Sequence, residues 1–135
     1  MLSAELARAL RDSGLVWHPA AGDAFLIDRV EADDEVFILS DMTVEAHEYS
    51  TGSVLGFNGT TEWALDSVAL EDALWLPHEH QLRDKLGATF RSLTARDEQF
   101  TVDVLIEGAQ HSFDASSPSA AYARALLFLL DSLQA

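Results

Sequence analysis

The sequence predicts an α+β fold, an antiparallel β-sheet packed against N- and C-terminal helices, with a middle helix. Three observations carry it. Capped stretches with helical spacing of apolar residues stand near both ends and in the middle. Short runs rich in β-branched and aromatic residues fill the intervals, separated by turn residues. The chain has 135 residues, the size of one ordinary domain, so residues 1–135 are expected to fold as one unit.

The first helix is predicted from Ser3 to about Asp12. Ser3 can cap, Leu6 and Leu10 form a stripe, and Gly14 supplies a left-handed stop. A loop through His18-Pro19 and Gly22-Asp23 follows. Four β-rich runs come next, Phe25–Val30, Val36–Ser40, Val44–Tyr49 and Ser53–Phe57, which read as an antiparallel meander. Asn58-Gly59 predicts a tight hairpin, because both central residues of such a turn take positive φ. That hairpin would set Phe57 against Thr60 and Val54 opposite Trp63.

Pro77 is expected at the first position of the middle helix and Gly87 just past its end, with Leu82 and Leu86 one turn apart. Trp75-Leu76-Pro77 would staple that helix onto the core. Phe90–Thr94, Phe100–Ile106 and His111–Asp114 read as three further strands, turning at Arg96-Asp97-Glu98 and Glu107-Gly108. The closing helix has Ser117 as cap, Pro118 at its start and an end near Leu133. Tyr122, Leu126, Leu129, Leu130 and Leu133 form one stripe, and Ala123, Leu127 and Phe128 widen it. A helix so broadly apolar must bury more than one face, either inside the core or against a second copy in a homodimer.

Charge narrows the partners. The formal net charge is −15, and between Val30 and Leu82 stand twelve Asp or Glu and no Lys or Arg. Such a surface repels nucleic-acid phosphates and anionic membranes and attracts basic proteins or cations. Cysteine is absent, which removes disulfides, thiol nucleophiles and Cys-based zinc sites and fits a reducing cytoplasm. The start of the chain lacks the basic residues and apolar run of a signal peptide. The longest apolar run, Ala125 to Leu130, is far short of the roughly 20 residues that span a bilayer. A soluble, cytoplasmic protein is expected.

Candidate site residues come in two groups. Glu31, Asp33, Asp34 and Glu35 form an acidic turn without the ligand spacing of a calcium loop, and Trp63 is a core residue or a binding anchor. If Val44–Tyr49 is a strand, Glu45, His47 and Tyr49 share one face. With Asp41 they could make a general-base or metal cluster, or simply the solvent face of a half-exposed sheet.

His78-Glu79-His80 belongs to a first helical turn, where residues two apart diverge, and Glu79 is expected to pair with Arg83. The five histidines show no ligand spacing, so no metal or other cofactor is expected. Lys85 is the only lysine and has no Gly-rich loop before it, which excludes a P-loop. Gly-x-Ser-x-Gly and Gly-x-Gly-x-x-Gly turns are missing as well.

Phe57-Asn58-Gly59-Thr60-Thr61-Glu62-Trp63-Ala64-Leu65-Asp66, Leu74-Trp75-Leu76-Pro77, Gln81-Leu82-Arg83 and the tail from Ala120 to Leu130 resemble a family of short uncharacterised bacterial proteins, some labelled from pilus assembly. The ATPases behind that label need the nucleotide-binding lysine loop this chain lacks. The order of elements also resembles type III secretion chaperones, which implies a dimeric, non-enzymatic binder. The expectation is a non-catalytic, acidic protein-binding domain of the adaptor, chaperone-like or immunity type. The alternative is a small hydrolase or metal-dependent enzyme using Glu45, His47 and Asp41.

Overall fold

Ser3 opens the first helix. Its Oγ accepts from the Leu6 N–H at 3.2 Å, and helix α1 runs Ala4–Asp12 with Glu5 in its first turn and Arg11 in its last. Gly14 follows the C-cap Ser13 at φ 108°, a conformation that L-residues rarely adopt. The computed structural model describes residues 1–28, 36–39, 45–49, 52–56, 67–69 and 72–134. Within them the fold is α+β, with helices near both ends and in the middle and three antiparallel three-stranded sheets. The chain divides into two compact units: Met1–Val16 with Pro77–Ala135, and Trp17–Leu76.

In the first unit, helix α2 spans Glu79–Leu86 and ends on Gly87 at φ 57°. Its predicted opening shifts by two positions, from Pro77 to Glu79. Pro77 lies before the cap and His78 is the N-cap, because the His78 backbone is extended and its N–H donates to the Gln81 side chain at 2.9 Å.

Three strands follow in the first unit. For numbering in chain order, the second unit holds β1 Ala24–Ile27, β2 Val36–Ile38, β3 Glu45–Tyr49, β4 Gly52–Gly56, β5 Ser67–Ala69 and β6 Ala73–Leu76; those of the first unit are β7 Phe90–Arg96, β8 Gln99–Ile106 and β9 Ala109–Ala115. Two-residue turns join β7 to β8 and β8 to β9. Asp97 and Glu98 (φ 49° and 63°) and Glu107 and Gly108 (φ 51° and 80°) all adopt positive φ, the geometry that matches strand twist in a tight hairpin.

Helix α3, Pro118–Leu133, starts from Ser117, whose Oγ accepts from Ala120 N–H at 3.2 Å. It packs on β8 and β9 and also contacts α1 and α2. Ala121, Tyr122, Ala123, Ala125 and Leu126 are buried, which covers more than half of the helix circumference. The broad apolar surface is thus consumed over the N-terminal half of the helix. Phe128 and Leu133 toward the other end stay exposed. Val102 and Val104 of β8, fully buried, belong to the sheet face beneath α3, and Leu2, Ala7, Leu10, Leu82 and Leu86 are buried in this unit as well. At the ends of the two outer helices the Gln134 side-chain amide donates to the Ser13 carbonyl.

The second unit departs from a simple meander. Strand β1 lies between β2 and β6, with Phe25 opposite both Phe37 and Trp75, while β3, β4 and β5 form a separate sheet. Local turn chemistry cannot reveal that β1 pairs with a strand so far along the chain. Trp75 and Leu76 are sheet residues of β6. Val54 pairs with Ala69, not with Trp63, so the β4 partner begins ten positions after Phe57, at Ser67. The Asn58-Gly59 turn itself lies outside the described residues. Phe25, Leu39 and Ala73 form one buried cluster, with Trp17, Ile27 and Phe37 packed against it, and Ala24, Leu26, Leu74 and Leu76 are buried as well.

Candidate functional site

Of the residues singled out in the sequence, Glu31, Asp33, Asp34, Glu35, Asp41 and Trp63 lie outside the described residues. Glu45 and His47 fall in β3, in register with Gly56 and Val54 of β4. Positions 45, 47 and 49 alternate along that strand as expected. Among the described residues no group of three His, Asp or Glu is placed to hold a metal ion.

The His78-Glu79-His80 segment is arranged differently from the expectation. Because His78 is an extended N-cap residue rather than a helical one, its ring is not carried away from that of His80. The two imidazoles stack at 5.7 Å with planes 13° apart. Nearly parallel rings direct their in-plane nitrogens along parallel rather than converging lines, so the pair is poorly built to chelate one ion. The rings border an open cleft of about 600 Å³ lined by Met1, Pro77, His78, Glu79, His80 and Ser119.

Ser119 contributes from the second position of α3 and is 6% exposed. The cleft thus joins the first turns of two helices, α2 and α3. The signal for it in the sequence is faint: Pro77-His78 and Ser117-Pro118 each mark a helix start, but nothing local says that the two starts meet.

Beside the cleft, Arg83 sets its guanidinium over the Phe90 ring, 4.5 Å from the centroid, in place of the predicted pair with Glu79. Phe90 in turn packs on Tyr122 at 5.7 Å. Burial raises the pKa of Tyr122; the Arg83 charge lowers it and Glu79 raises it further.

The second unit carries an aromatic cluster that the sequence did not disclose. Trp17 stacks on Trp75 (6.4 Å, 12°) and tilts against Phe25 (5.5 Å), which packs on Phe37 (5.6 Å). Asp23, 4% exposed, accepts from Trp17 Nε1 at 2.8 Å and from the Ala20 N–H at 3.0 Å. Its backbone also accepts from Leu39 N–H. The Nε1 of Trp75 is buried with no partner among the described residues. Gly22-Asp23 marked a turn in the sequence, but the burial of the carboxylate depends on an indole six residues earlier.

The sheet face opposite α3 is polar. Asp103 in the central strand accepts from Ser92 Oγ at 3.0 Å and from Ser112 Oγ, and Thr101 Oγ1 donates to Asp114 at 2.6 Å. Each Asp is held by hydroxyls across the strand pair, which orders this face without concentrating reactive groups.

Fold and site together define an α+β protein with an acidic unit and a cleft at paired helix starts. No family model matches the chain, and no curated protein or solved structure matches it either. No helix among the described residues is long and apolar enough to cross a membrane.

Proposed function

We propose that this chain is a non-catalytic binding protein, of the adaptor, chaperone-like or immunity type, whose acidic unit meets a basic protein partner. The observation that carries this is the division of charge between the two units. Trp17–Leu76 holds thirteen Asp or Glu against Arg29 alone, a formal −12. The other unit sets ten acids against seven Arg or Lys, a formal −3. A charge gathered on one unit creates a directional field that speeds the encounter with a basic surface. Charge needed only for solubility has no reason to be gathered in this way.

Affinity capture from the native host followed by mass spectrometry identifies the partner, and stopped-flow mixing then tests the steering. Replacing Glu31, Asp33, Asp34 and Glu35 by Lys changes the charge by eight units. The association rate should fall by about tenfold or more at low salt, and the deficit should shrink as salt is added. An unchanged rate at low ionic strength assigns these acids to solubility alone. The enzyme reading, with Glu45, His47 and Asp41, draws on the alternation of positions 45 and 47 along β3. Saturable binding of a divalent metal ion, lost in His47→Ala, would favour it.

A further inference from the structure

We infer that the open edge of β2 takes up an extended segment of the partner as a further strand of its sheet; this rests on the proposed basic partner of the acidic unit. In the order β2-β1-β6 only β1 is flanked on both sides, so β2 is an edge strand among the described residues. Leu39, just past β2, sets the direction of its backbone groups. The Leu39 N–H donates to the Asp23 carbonyl at 3.0 Å, and the Leu39 carbonyl accepts from the Gly22 N–H at 2.7 Å. Both groups of Leu39 therefore point to the β1 side. Successive residues of a strand alternate in this respect. Phe37, opposite Phe25, also turns its N–H and C=O to β1, and those of Val36 and Ile38 point away from it, to the open edge.

The same two residues carry exposed apolar side chains, Ile38 at 57% and Val36 at 39%. They stand opposite Ala24 and Leu26 of β1, which stand opposite Leu76 and Leu74 of β6, so these side chains share one face of the sheet. The β1 and β6 members are buried. The apolar face thus runs out to the edge, and β2 itself, Val36-Phe37-Ile38, has neither the charge nor the proline that guards an exposed edge. A strand laid along β2 pairs the outward backbone groups and covers Val36 and Ile38 with every second side chain. Charge selects that strand. The unit around β2 carries a formal −12, which favours Lys or Arg at the remaining positions. A second copy is the weaker occupant, because joining two β2 edges sets two such acidic units side by side. The segment that fits alternates aliphatic and basic residues.

The probe is a capped peptide of about nine residues alternating lysine and valine, titrated into the ¹⁵N-labelled full chain in about 0.15 M NaCl. The Val36 and Ile38 amides should shift, saturate and exchange with solvent about tenfold more slowly, whereas the Phe37 amide, already turned to β1, changes little. Val36→Thr combined with Ile38→Thr keeps β-branched residues and so the strand, and should weaken binding by about fivefold through lost apolar contact. Leu93→Thr, at an exposed apolar position of the other unit, should leave binding unchanged. A second peptide with glycine in place of valine carries the same charge but little strand propensity, and it should bind more weakly and protect neither amide. If the two peptides bind alike and neither protects Val36 and Ile38, the basic-partner reading stands and the edge assignment falls. If neither binds even in dilute buffer, both fall. Protection of Val36 and Ile38 before any peptide is added, growing with protein concentration, gives the edge to a second copy and overturns the assignment as well.

Discussion

The indole Nε1–H of Trp17 donates to Oδ2 of Asp23 at 2.8 Å, and that carboxylate is almost wholly buried. One bond thereby fixes the start of the second unit against the turn that leads into β1. Asp23→Ala removes the acceptor for both the indole and the Ala20 N–H. It should cost about 1–3 kcal/mol, the usual loss when a buried donor is left unpaired. Urea denaturation should show a lower midpoint with an unchanged slope.

Leu126 is 1% exposed on α3, whereas Leu133 on the same helix is 74% exposed. Leu126→Ala should cost about 2–5 kcal/mol. Leu133→Ala should stay within about 0.5 kcal/mol of the parent. Equal losses from both would mean that the end of the helix is covered in solution, and sedimentation would then reveal a second copy.

Glu98 sits at φ 63° in the β7–β8 turn, where a side chain is strained and glycine is not. Glu98→Gly should stabilise the protein by about 0.5–1 kcal/mol. Gly108→Ala, at φ 80° in the next hairpin, should do the reverse by about 1 kcal/mol. Thermal melts of the two variants read opposite signs.

Tyr122 has its pKa raised, with burial as the largest cause. The folded chain therefore holds that proton more tightly than the unfolded chain. The associated stability is complete below about pH 10, the ordinary tyrosine value, and is lost as pH rises through the folded value. Urea melts across the alkaline range should show a slope that Tyr122→Phe reduces, while Tyr49, the other tyrosine, is retained.

Features encoded by neighbouring residues were legible in the sequence. Ser3 and Ser117 cap where expected, and Glu107-Gly108 turns the chain as its composition predicts. Pairings between distant segments were not. Nothing near Phe25 announces that it will face Trp75, and the choice of β6 over a simple meander is settled by packing of the aromatic cluster. The candidate cleft was hidden for the same reason. His78 and Ser119 are far apart in the chain, and the local signals at each concern only its own helix. The two-residue shift of the helix start from Pro77 to Glu79 mattered most: an extended cap at His78 brought two rings together that helical geometry would have parted.

Helix α1 finds α3 across the whole length of the chain, and Trp17–Leu76 is strung between their two segments as an insertion. In polymer terms, the acidic unit is a closed loop whose ends the first unit must bring together. Closure entropy grows only logarithmically, by about 0.6 kcal/mol for each doubling of loop length. The insertion can therefore lengthen, shorten or change its charge at small thermodynamic cost to the scaffold that carries it. The first unit, by contrast, must wait for its earliest residues to return from the far side of that loop. Its last folding step is then the docking of α1, and a hydrogen-exchange pulse during refolding should find α1 protected after the β7–β8–β9 hairpins.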